Sequence, residues 1–162
     1  MIQKALFQML LETHWGELDY LFIDLPPGTG DIQLSLAQKL KITGAILVTT
    51  PQDLALRDVK KAAHMFKKTG IALLGLIENM STFVCSHCHK TTDIFHAGGG
   101  VDLAQEMEIP LLSQIPLDID IRMSGDKGQP LASQDHPMAD LYKQTAAYLN
   151  AQLGSKQKNQ KK

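Results

Sequence analysis

The chain has 162 residues, of which 44% are hydrophobic, 20% charged and 6% aromatic, a make-up that fits one globular domain with a useful core. Its formal net charge of -1 excludes a strong overall field toward nucleic acid or an anionic membrane, and neither is expected as a partner. No apolar run reaches the ~20 residues of a membrane span, the N-terminus does not read as a signal peptide, and two cysteines cannot build a secreted disulfide framework, so a reducing cytoplasmic setting is expected.

In chain order the apolar residues switch between two periods, as in an α/β fold. Ile2, Ala5, Leu6, Met9 and Leu10 form a helical stripe. Tyr20–Ile23 is a short continuous apolar run ending at Asp24, as a buried parallel strand would. Pro26, Pro27, Gly28 and Gly30 interrupt regular structure, a helix resumes over Leu34–Leu40, and Ala45–Thr50 reads as a second buried strand. Asp53 is placed to cap a helix carrying Leu56, Val59, Ala63 and Phe66, with Gly70 as its stop. Ile71–Glu78 is a third strand. The stretch 79–100 has no helical period and holds both cysteines. A helix over Val101–Glu108, a fourth strand over Leu111–Ile115 and a closing helix over Pro137–Leu153 come next. The basic residues Lys156–Lys162 read as a solvated, disordered tail after a single domain over 1–153.

The segment Tyr20-Leu21-Phe22-Ile23-Asp24 would deliver a carboxylate at a strand end, where P-loop NTPases place the Walker B aspartate that serves Mg²⁺. The adjoining string, Asp24-Leu25-Pro26-Pro27-Gly28-Thr29-Gly30-Asp31, stiffens the exit from the strand and lets backbone amides approach a phosphate. With it, the chain resembles the Mrp/ApbC branch of the deviant P-loop ATPases, which also include MinD- and ParA-like proteins. Further matches are Thr50-Pro51-Gln52-Asp53, Glu78-Asn79-Met80-Ser81, Gly98-Gly99-Gly100, Ile115-Pro116-Leu117-Asp118 and Gly125-Asp126-Lys127-Gly128-Gln129-Pro130.

The resemblance implies a three-layer α/β fold with a mostly parallel sheet of the P-loop NTPase type. It also implies roles. Asp24 would serve Mg²⁺ through water and catalysis, and Gly28, Thr29, Gly30 and Asp31 would sense the γ-phosphate. Asn79 would recognise the adenine edge and Pro116 would pack on the ring, an amide offering both a donor and an acceptor. Read without the family, Asn79 is a turn residue and Pro116 a strand terminator. Gly98-Gly99-Gly100 before a helix reads as a tight connection rather than an anion site, since it holds no Lys or Arg.

Cys85 and Cys88 lie in Phe83-Val84-Cys85-Ser86-His87-Cys88-His89, an insertion at about 80–97. Two thiolates fill only half of a four-thiolate site. The pair admits an iron–sulfur cluster, a zinc ion completed by two of His87, His89 and His96, or a reversible disulfide. The resemblance implies the first, a [4Fe–4S] cluster shared across a homodimer. His89 and His96 stand where the family commonly has glycine, which raises the zinc reading.

No Gly-Lys dipeptide occurs, so the chain lacks the P-loop that cradles the phosphates. Against the family the chain begins after that motif, as a piece of a longer protein or a truncated product. The sheet is then expected to have a gap beside the Tyr20–Ile23 strand. The implied function, in the complete protein, is ATP-dependent cluster binding and transfer from an assembly scaffold to recipient apoproteins. This chain alone is expected to be inactive as an ATPase. The alternatives are a zinc-binding module without enzymatic activity, or a MinD/ParA-like positioning ATPase.

Overall fold

The computed structural model describes residues 2–26 and 28–160, with side chains placed over 4–26 and 28–154. Met1, Pro27, Lys161 and Lys162, which the family match and the tail include, lie outside them.

Three parallel strands make the frame. β1 (Ala45–Thr49) pairs β2 (Leu73–Val84), and β2 pairs β4 (Leu111–Leu117) on its other side. The short β3 (Thr91–Thr92) returns antiparallel against the end of β2, closing a hairpin around both cysteines. The sheet is therefore mixed but mainly parallel, as expected for the fold class.

Helices cover its faces. α3 (Asp53–Lys68) and α4 (Gly99–Met107) pack through Ala63, Phe66, Leu103, Ala104 and Met107 onto Leu47 and Leu76. The helix α2 (Asp31–Lys39) adds Ala37 to the same core. The closing helix α6 (Ala139–Gln160) lies against β4 and the short 3₁₀ turn Leu131–Ser133. Between β4 and that turn runs α5 (Ile119–Asp126), whose N-terminus Asp118 caps by accepting from the Asp120 and Ile121 amides. Sequence periodicity did not separate α5 from its surrounding loop, because only Ser124 on it is buried.

The expected strand Tyr20–Ile23 is not a strand. After α1 (Ile2–Leu11) the chain is irregular from Thr13 to Pro26 and from Gly28 to Gly30, and Phe22 is 76% exposed. The cause is pairing: a parallel strand needs hydrogen-bonded neighbours, and among the described residues no strand lies beside this segment. Among the described residues β1 is paired on one side only, which leaves its outer edge open; the expected gap between two strands does not form, because the Tyr20–Ile23 segment is not in the sheet. The segment is tied down instead by Tyr20, whose hydroxyl donates to Asn150 Oδ1 on α6 at 2.6 Å.

Other boundaries shift for local reasons. α2 starts at Asp31, earlier than the apolar stripe indicates, because Gly30 takes the N-cap position. Asp53 is the first helical residue of α3 rather than its cap, which is Gln52, and no side chain closes that end. Gly70, at φ +76, ends the helix as expected. β2 runs past Glu78 to Val84, so Asn79 lies within the strand and not at its end. The basic tail, expected to be disordered, is helical through Gln160. Its Lys, Gln, Asn and Ser residues contain no proline, so nothing stops the turn of α6 from continuing.

Candidate functional site

The C-terminal end of β1 lies beside the middle of β2, which runs on past it alongside the C-terminal half of β4; open α/β sheets bind ligands on this side. Register places Thr49 of β1 beside Glu78 of β2, and Asn79 beside Ile115 of β4, with Pro116 next along. Sequence positions 79 and 116, far apart in the chain, thus share one sheet end.

Glu78 organises this end, and the sequence reading missed it. Its side chain is 1% exposed. One carboxylate oxygen accepts from the Gly100 amide at 2.6 Å and the other from Gln114 Nε2 at 2.8 Å. A buried carboxylate needs such partners, and this one also meets the positive N-terminal end of α4. The triple glycine is explained by this packing. Gly98 turns the chain at φ +82, while a Cβ on Gly100 would lie 2.5 Å from Glu78 Oε2. The N-terminus of α4 is taken by the protein's own carboxylate, so Gly98-Gly99-Gly100 acts as a close connection. An acid inside an apolar strand carries no local signal for this contact, which only the fold brings about.

Asn79 is half-buried, and its Oδ1 accepts from the Met80 amide at 3.0 Å. Gly28, Thr29, Gly30 and Asp31 form an exposed turn into α2, with Gly28 at φ +94. Gln33, 4% exposed, holds that turn by donating from Nε2 to the Pro26 carbonyl at 2.9 Å. Asp24 is exposed on the irregular segment before it.

The cysteines sit at the tip of the β2–β3 hairpin. The Cys85 amide donates to the Lys90 carbonyl at 3.1 Å, and the His89 amide donates to the Cys85 carbonyl at 2.9 Å. This closes a tight turn with both thiols free, Cys85 half-buried and Cys88 exposed. The Cys88 amide foremost, then the His87 amide and the Cys88 side chain, hold the Cys85 thiol below its ordinary value. A lowered thiol favours the thiolate, the form that ligates metals. His87, His89 and His96 are all exposed, and among the described residues no three His, Cys, Asp or Glu side chains are grouped to hold an ion. His89 and His96 lie at φ 54 and φ 83, the left-handed region that glycine occupies without strain.

The family model described as "ParA: NUBPL iron-transfer P-loop NTPase" matches residues 1–150 of this chain. The chain belongs to that family. An iron-sulfur cluster carrier protein of Escherichia coli is 49% identical over 155 residues, covering 94% of this chain and 42% of the relative. The iron-sulfur cluster transfer protein NUBPL of Mus musculus is 47% identical over 131 residues, 81% of this chain and 41% of its own length. Among solved structures, a nucleotide-binding protein from Archaeoglobus fulgidus in complex with ADP superposes with a TM-score of 0.70 at 42% identity, over 79% of this chain and 53% of that one. The cell division ATPase MinD of Pyrococcus furiosus gives a TM-score of 0.53 at 27% identity, over 67% and 43%. The chain therefore spans about half or less of the length of these relatives, and its fold is that of the P-loop NTPases.

Proposed function

We propose that this chain binds an iron–sulfur cluster as cargo through Cys85 and Cys88 and, within a complete P-loop protein, passes it to recipient apoproteins in a nucleotide-dependent way. The observation that carries the reading is the hairpin tip, which offers two free thiols, one with its thiolate form favoured, just beyond the strand that carries Asn79. The names of the relatives support cluster carriage, and the ADP complex of the Archaeoglobus protein supports a nucleotide partner.

Two thiolates complete half of a four-thiolate set. We assign the cargo as a [4Fe–4S] cluster held between two copies of the chain, loaded from an assembly scaffold in the cytoplasm. Asn79 and Pro116, brought to one sheet end, fit a site for the adenine edge and ring face. Gly28 to Asp31 would meet the γ-phosphate and Asp24 the Mg²⁺ of ATP. The Asp24 role requires the Tyr20–Asp24 segment to be drawn up beside a P-loop strand, and this chain holds no Gly-Lys dipeptide to build one. The ATPase activity is thus assigned to a complete domain, of which 1–153 is the later part.

The test is residue by residue. Cys85→Ser and Cys88→Ser should each abolish the iron, the sulfide and the visible absorption of the anaerobically reconstituted chain, because oxygen is a poor ligand for cluster iron. His87→Ala, His89→Ala and His96→Ala should each retain them. Equal loss in a cysteine and a histidine variant would replace the cluster with the zinc reading.

A further inference from the structure

Between the buried Glu78 and the cysteine tip, β2 is irregular. Asn79 pairs with Ile115 and Phe83 with Leu117, so Met80, Ser81 and Thr82 stand opposite Pro116 alone. Proline supplies no amide donor to the ladder, and the opposing strand bulges where the pairing lapses. Bulges bend a strand and re-aim the residues beyond them. Met80 carries the bend at φ 55, a conformation costly for a residue with a side chain.

Two unlike bodies flank it. On the near side, Glu78 is locked to α4 and β4 through Gly100 and Gln114. On the far side, the hairpin is closed upon itself by the Phe83–Thr92 and Val84–Thr91 pairs and the Cys85–Lys90 bond. The strained residue between them is held by the Asn79 side chain, whose Oδ1 accepts from the Met80 amide at 3.0 Å.

We propose that Met80–Thr82 is a hinge that aims the cysteine hairpin, and that Asn79 is the positioning residue that clamps it. The consequence for cargo rests on Cys85 and Cys88 being cluster ligands. An oxygen engaged on Met80 is less available to the amino group of a purine base. A base that draws this oxygen away loosens the hinge, which links nucleotide occupancy to the direction of the thiols. Asn79→Ala reproduces the released state without nucleotide.

The experiment measures hydrogen exchange of the amides over 80–84 in the full chain, and the rate at which reconstituted cluster is lost to an iron chelator. Asn79→Ala should accelerate both by about five-fold, the effect of losing one neutral hydrogen bond. Asn79→Asp keeps the acceptor and should match the parent. Met80→Gly removes the strain and should suppress the effect of Asn79→Ala when the two are combined. Asn79→Leu, of similar size and without an acceptor, takes its place should the alanine chain fail to fold. Unchanged exchange in the Ala or Leu chain overturns the hinge, as does an Asp chain that behaves like the Ala one. A parent chain that takes up no cluster defeats the cargo reading, and the exchange measurement still decides the hinge.

Discussion

Cys85 sits among donors that favour its thiolate. Amide and thiol donors lower its pKa, so its thiolate persists as pH falls below the ordinary thiol value of about 8.5. Iodoacetamide, followed by mass spectrometry from pH 6 to 9, should therefore modify Cys85 at lower pH than it modifies a free thiol such as glutathione. A profile for Cys85 centred at or above that of the free thiol would remove the argument. His89 and His96 carry a conformational cost that glycine lacks. Substituting glycine relieves about 1 kcal/mol of left-handed strain, part of which is offset by the added freedom of the unfolded chain. His89→Gly and His96→Gly should each leave the melting temperature equal or raise it by about 2 °C. A clear fall in either would show that the imidazole makes a stabilising contact. Gly100→Ala should act in the opposite sense. Its Cβ would intrude to 2.5 Å from a buried carboxylate, and a loss of about 2 kcal/mol or more in urea unfolding is expected.

At the scale of elements, the sequence told most where a residue's neighbours lie in the same chain. The stripe of Leu56, Val59, Ala63 and Phe66 identified α3, because the surface it packs on, β1 and β2, is present to receive it. The run Tyr20–Ile23 looked equally strand-like yet remained irregular, since strand identity depends on a partner that no local pattern encodes. The resemblance, and not residue type, assigned Asn79 and Pro116 to one ligand. Their adjacency came only from the register of β2 on β4. Glu78 stayed unread because an acid within a strand gives no sign that a helix end will cover it. The exposed segment yields a prediction of its own. Leu21 and Phe22 are 48% and 76% exposed, so Phe22→Ser should change folding stability by no more than about 0.5 kcal/mol. It should also reduce self-association seen by light scattering, because exposed apolar surface and an open sheet edge both favour it. A large loss of stability would mean that Phe22 is packed in the folded chain.

For the molecule as a whole, a mainly parallel sheet covered by helices, the sheet end proposed for a nucleotide and a hairpin bearing two thiols would divide the labour. ATP chemistry belongs to a domain that includes a P-loop, so magnesium-dependent turnover by this chain alone should be absent; turnover lost on Asp24→Ala would contradict that division. On the proposed reading, cargo binding belongs to the hairpin and needs a second copy. The most direct test of that claim is the stoichiometry of the anaerobically reconstituted chain, with iron and sulfide assayed alongside molar mass by light scattering. A shared cluster predicts four irons and four sulfides per two chains, with a shift from monomer to dimer on loading. A full cluster on a chain that remains monomeric, or one zinc ion per chain without sulfide, would contradict it.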